Sequence, residues 1–251
     1  MNQARNEHMD SVSAQKRTGN TVQMIYSSLR QDILIGTLPS GALLPQLTIA
    51  RRFGTSRAPV REALQRLEQE QLIVARANQR YTVAEFDVTD YENLLCLTLI
   101  NMTFAIRLCV PLLTEQQLDQ ISKCVASMNG SMEQDPEARG AFYRKFTMLL
   151  VAPAGRRTLA LISHFMDNLQ RYRSHALNKL PEPMFKDGAE LVRLVDAVRT
   201  VQPDLAANLY TNYFGRLAIL ILAGAAPSHN AMALHGTIAA LTPNDVTSKE
   251  R

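Results

Sequence analysis

Five arginines fall between Arg51 and Arg66 against a single acid, Glu62. Guanidinium groups at this density attract phosphates, and each carries a rigid planar fork that can donate twice to guanine O6 and N7. Arg57, Arg61 and Gln65 recur at every fourth position, so on a helix they share one face. Arg57 and Arg61 are therefore the candidate base readers, with Gln65 a turn further on. Arg52, Ser56 and Ala58 border them. Arg52 suits a phosphate, Ser56 could cap the helix or donate to a phosphate, and Ala58 stands in the first turn that would enter a groove. A second polar group, Arg76, Asn78, Gln79 and Arg80, suits the adjacent minor groove or backbone. A merely solvated basic face would have the same composition, so the elements that carry these residues decide the matter.

Those elements can be read from periodicity. Val22, Ile25, Leu29 and Ile33 recur at three- and four-residue steps, which predicts a first helix that Gly36 can end. Leu38 to Gly41 reads as a turn. Ile49, Ala50 and Phe53 then mark a short second helix closed by Gly54. Ser56 offers an N-cap and Pro59 falls in the first turn of a third helix, whose buried stripe is Val60, Ala63, Leu64 and Leu67. The period then changes: Leu72-Ile73-Val74 and Tyr81-Thr82-Val83 are short strand-like runs around a polar tip. Helix, tight turn, helix and a two-stranded wing place the third helix across the second, with its N-terminal end projecting into a major groove.

From Asp87 the pattern is helical again. Two capping boxes are legible, Thr89 with Glu92 and Thr114 with Gln117. Breaks at Pro111, 130–136, 153–155, 180–183 and Pro203 divide the region into about six helices, the last carrying an apolar stripe of Ala206, Leu209, Tyr213, Leu217 and Ile221. The expected class is mainly α: a mobile arm over residues 1–20, a winged helix-turn-helix over 21–86, an all-α bundle over 87–240 and a tail over 241–251. The chain has 251 residues, 46% of them hydrophobic, enough for two cores. No continuous apolar run approaches the roughly 18 residues of a membrane helix, and the first twenty residues lack a signal-peptide core, so a cytoplasmic protein with no membrane partner is expected. Cys96, Cys109 and Cys124 are odd in number and lack CxxC spacing, which points to core thiols rather than disulfides or zinc. A net charge of +4 fits a polyanionic partner without proving one.

The run from Gly41 to Leu64, GALLPQLTIARRFGTSRAPVREAL, closely resembles the N-terminal domain of GntR-family bacterial regulators, and SRAPVREAL is its most specific part. The helical remainder resembles the effector (FCD-type) domain of the FadR subfamily, so the likeness spans Thr21 to Gly224. It implies a sequence-specific transcriptional regulator, a repressor by family habit, that binds a palindromic operator as a homodimer and responds to a small-molecule effector. By position, Arg57 and Arg61 match the family's readers of base and phosphate, and Ala77-Asn78 lies at the wing tip. The family usually has Gly where Arg80 stands and an acid where Gln46 stands.

Many FadR-type domains bind a divalent metal through an Asp and a His four residues apart and two later His. The resemblance puts Tyr143, Thr147, Leu191 and Tyr213 at those positions, and none is a credible ligand, so neither metal nor other cofactor is expected. His164 and His175 are the imaginable substitutes. The same positions, with Arg107 and Arg156, are the candidate effector pocket, where an arginine could anchor a carboxylate or acyl phosphate of an organic acid or acyl compound. Two other classes stay open: a DNA-tethered enzyme, for which Tyr210 or Tyr213 would be the nucleophile, and a constitutive DNA-binding dimer whose pocket has become solid core. No nucleophile–His–acid set or Gly-rich phosphate loop supports the first, so no enzymatic activity is expected.

Overall fold

The computed structural model describes residues 20–76, 80–128, 136–177 and 188–242. The chain divides into two compact units, Met1–Phe86 and Asp87–Arg251. Most of the N-terminal arm, the wing-tip residues Ala77, Asn78 and Gln79, His175 and residues 243–251 lie outside the described residues.

In the first unit, α1 covers 20–34 and buries Val22, Ile25, Leu29 and Ile33 as one stripe. It stops before Gly36, whose φ of +85° is a left-handed value that side chains resist. Helix α2 (Gln46–Arg52) contributes only Ile49 and Ala50 to the core. Gly54, at φ +59°, then turns the chain into α3 (Arg57–Gln69), which buries Pro59, Val60, Ala63, Leu64 and Leu67. Burying a Val, Leu or Ile is worth about 1.5–3 kcal/mol, so this shared stripe is what sets α3 against its neighbours. Ser56 occupies the N-cap position with extended backbone, but its hydroxyl makes no capping bond, contrary to the capping role expected of it.

The wing is an antiparallel pair, β1 (Ile73–Arg76) and β2 (Arg80–Val83), in register from Ile73 opposite Val83 to Arg76 opposite Arg80. The other edge of β2 is covered as well. Leu43 bridges Thr82, Gly41 N–H donates to Val83 O at 3.0 Å, and Leu44 N–H donates to Tyr81 O at 2.8 Å. The loop between α1 and α2, read from sequence as a simple turn, thus acts as a third short strand.

The second unit holds seven helices among the described residues. They are α4 (Val88–Cys109), α5 (Glu115–Ala126), α6 (Pro136–Leu150), α7 (Arg156–Leu177), α8 (Gly188–Arg199), α9 (Pro203–Ala225) and α10 (Met232–Leu241). The first six end at the expected Pro and Gly breaks. Helix α10 lies in the stretch where the sequence signal fades. The Thr114–Gln117 capping box forms. The Thr89–Glu92 box does not: α4 starts one residue earlier, where the Asp87 carboxylate accepts from Thr89 and Asp90 N–H at 2.9 and 3.0 Å.

Helix α4 is the spine of the bundle, packed against α7, α9 and α10. With its following 3-10 turn (Val110–Leu112) it is long and apolar enough to cross a membrane by length and composition, at a mean hydropathy of 1.8, although half of that window is buried inside the unit. That reverses the expectation that no segment comes near membrane-helix character. The cause is Thr98, Asn101 and Thr103, which break the apolar run in sequence while leaving its average high.

Candidate nucleic-acid interface

Arg57 opens α3 and Arg61 follows one turn later, both exposed, on the side opposite Val60, Ala63, Leu64 and Leu67. Four residues advance a helix by ~6 Å and bring the side chain back to within about 40° of its starting direction, so the two guanidinium groups leave α3 together. Gln65 continues the row and Ala58 is exposed beside it. Neither Arg57 nor Arg61 pairs with an acid among the described residues, whereas their neighbours are engaged within the unit. Arg52 meets Asp32 at 2.8 Å and stacks over Phe53, and Arg66 meets Glu62 at 2.8 Å. Arg52, expected to touch phosphate, therefore ties α2 to α1. Arg76 pairs with Glu85 at 3.0 Å, while Arg80 is exposed.

The first turn of α3 contains no acid, so its N–H groups and the positive end of the helix dipole favour an anion there. Arg61 also reaches towards the wing. Burial pushes the Tyr81 phenol up and Glu68 adds to this, while the nearby Arg61 charge pulls it back. Reading helix and wing base thus share one positive field. At the far end of α3, Glu70 accepts from the Tyr26 hydroxyl and, at 2.9 Å, from Arg30 Nε. Burial and the Glu70 contact together push the Tyr26 phenol up to about 12. This clamp fixes the pitch of α3 on α1. Sequence alone does not reveal it, because its members lie 40 or more residues apart.

In the second unit Tyr143, Thr147, Leu191 and Tyr213 are all buried. Two of them meet directly: the Tyr143 and Tyr213 hydroxyls lie 2.8 Å apart. Thr147 Oγ1 lies 3.4 Å from the hydroxyl of Tyr210, which stacks on Phe214 with ring centroids 4.3 Å apart. Thr103 and Thr211 hydroxyls pair at 2.6 Å. The interior here is a hydroxyl and aromatic cluster, and Tyr210, Thr211 and Phe214 are members that the family resemblance did not point to. Burial pushes the Tyr210 phenol far up, which keeps it neutral and makes it a poor nucleophile.

Arg107 and Arg156 do not join this cluster. Arg107 reaches Asp204 of α9 at 2.7 Å at the surface, and Arg156 is exposed at the start of α7. A long charged side chain keeps its head in water unless a buried partner offsets the desolvation. His164 is exposed and bonds Asn168 one turn along its own helix. Among the described residues no three His, Cys, Asp or Glu side chains come together as a metal group. The three cysteines are free and buried, and burial pushes each thiol up.

One buried carboxylate joins two helices. Glu92 on α4 accepts from His229 Nε2 at 2.6 Å and from Leu234 N–H at 2.9 Å, capping α10 from another helix. Burial alone would raise its carboxyl. The His229 hydrogen bond, the Leu234 N–H, the His229 charge and the Ala233 N–H outweigh that and hold it below the usual carboxylate range.

Known proteins share this arrangement. Residues 21–83 match the family model of bacterial regulatory proteins of the gntR family, and residues 103–216 match the FCD domain. The chain is 25% identical over 162 residues to the uncharacterized HTH-type transcriptional regulator YdhC of Bacillus subtilis, covering 63% of this chain and 72% of that one. Its fold is similar to that of E. coli McbR/YncC, with a TM-score of 0.67 at 17% identity over 80% of this chain and 96% of the other. A GntR putative regulator from a Rhodococcus species gives 0.63 at 18% identity over 83% and 99%. With a winged helix-turn-helix presenting Arg57 and Arg61 and an FCD domain behind it, the chain belongs among the GntR-family transcriptional regulators of FCD architecture.

Proposed function

We propose that the protein is a repressor of the FadR subfamily that binds a palindromic operator in the cytoplasm as a homodimer. In this reading α3 enters the major groove with Arg57 and Arg61 on guanine edges, Ser56, Ala58 and Gln65 along the groove wall, and Arg76, Asn78, Gln79 and Arg80 of the wing at the neighbouring minor groove. The observation that carries it is the pair of exposed, acid-free guanidinium groups at the open end of α3. The protein binds and does not catalyse. Selection of bound duplexes from a random library tests the reading: two half-sites related by a dyad, about one helical turn apart, are expected. Recovery of no preferred sequence would refute it.

The FCD domain is the seat of effector control in this reading, and a small organic acid or acyl compound entering the bundle would shift the balance between DNA-competent and incompetent dimers. Tyr143, Thr147, Leu191 and Tyr213 are the residues it would meet. A specific observation favours a second reading, constitutive binding: Tyr143 with Tyr213, and Thr147 with Tyr210, already satisfy each other's hydroxyls. A ligand that raises the melting temperature and changes operator affinity decides for the first reading.

A further inference from the structure

Helix α4 buries one side completely and leaves the other apolar. Leu97, Ile100, Phe104, Leu108 and Leu112 are each between 45% and 64% exposed. On a helical wheel they fall within about 60° of one line, running ~22 Å along the axis. Half-uncovered side chains of this size expose on the order of 100 Å² each. Together they reach the patch size that marks an interaction site, and a modest polar rim would bring them near the ~800 Å² per partner of a standard interface.

The order of residues along the stripe says what covers it. Ile100 and Leu108 stand four residues either side of Phe104, and Leu97 and Pro111 stand seven either side. Reversing the helix about Phe104 reproduces the same apolar pattern, as a two-fold axis through an isologous contact requires. The same reversal sets Arg107 opposite Asn101, whose amide oxygen can accept from a guanidinium. Between Asn93 and Leu112 the only charged side chain is Arg107, and Asp204 of its own chain neutralises it. Two copies therefore meet without like-charge repulsion.

We infer that the partner of this face is a second copy of the chain, docked through α4 in antiparallel register about Phe104. The inference rests on the homodimer proposed above and specifies its seam. It places Phe104 against Phe104 of the partner, Ile100 against Leu108, and Leu97 against the Pro111–Leu112 end.

Symmetry provides the test. The three native cysteines are buried, so the parent chain is a clean blank for cross-linking. Phe104→Cys, oxidised with copper phenanthroline, should give a single species of doubled mass on a non-reducing gel, whereas Leu161→Cys, on exposed α7, should not. Phe104→Glu should convert the parent dimer to monomer by light scattering while leaving helical circular dichroism unchanged, because Phe104 is 61% exposed. Operator affinity should fall by more than tenfold with it. A parent chain that is dimeric while Phe104→Cys stays uncross-linked and Phe104→Glu stays dimeric overturns the seam alone. A monomeric parent, or one whose stripe instead binds neutral phosphatidylcholine vesicles, overturns the homodimer as well.

Discussion

Replacing Arg61 with alanine removes a guanidinium that takes no part in the fold. Its side chain is exposed and the buried stripe of α3 lies on the opposite side, so stability should change by less than about 0.5 kcal/mol. Operator binding should change far more. A bidentate arginine contact to guanine discriminates by about 1–3 kcal/mol, and 1.4 kcal/mol is tenfold, so the loss is roughly 5- to 150-fold per half-site. Arg57→Ala stands closer to the free N–H groups of the helix start, where phosphate is the natural partner. It should weaken binding to all sequences and lower the salt slope by about 0.9 for each phosphate that is no longer neutralised. Arg66→Ala is the control, since that guanidinium is committed to Glu62 at 2.8 Å and such exposed pairs contribute about 0–1 kcal/mol. Fluorescence anisotropy on a selected duplex and a scrambled one, at several salt concentrations, reads all three. If Arg57→Ala and Arg61→Ala bind like the parent, or Arg66→Ala weakens binding as much, α3 is not the reading element.

Further outcomes follow from the interior. Thr147→Val deprives the buried Tyr210 hydroxyl of its acceptor and should cost about 1–3 kcal/mol, and adding Tyr210→Phe should recover most of it in thermal melts. Glu92→Gln cannot both accept from His229 and keep the charge that caps α10, so hydrogen exchange in Met232–Leu241 should quicken ahead of the rest of the bundle. Because the folded Glu92 carboxyl is held low, its contribution is complete above the ordinary carboxylate range and disappears as pH falls through the folded value. The acid melting limb should flatten in Glu92→Gln. Tyr26 behaves in the opposite sense. With its phenol raised from 10.0 to about 12, the first unit should lose stability as pH climbs between those values, and Tyr26→Phe should not show that loss.

The parts legible in the sequence were those whose signal is local. Helices α1 and α3 announce themselves by spacing, the turn by Gly54, and the wing by a change from a period near four to a period of two. Elements fixed by distant partners were not legible. Helix α10, MALHGTIAAL, has neither an apolar stripe against a polar face nor a capping residue of its own, because its cap is Glu92, some 140 positions earlier. Glu92 itself suggested a local box with Thr89, but Asp87 holds those N–H groups and frees Glu92 to point inward. The effector positions were legible as positions. What the sequence could not say is that Tyr143 and Tyr213 would bond each other, or that Arg107 would turn out to Asp204, since pairings across helices leave no periodic trace.

The loop from Gly41 to Leu44 locks β2 on the side away from β1, so the base of the hairpin does not depend on its tip for alignment. Residues inserted or exchanged between Arg76 and Arg80 leave that anchorage untouched. Evolution can therefore lengthen, shorten or recharge the tip at little thermodynamic cost. Target choice can drift there by small steps while the helix that supplies most of the grip stays constant.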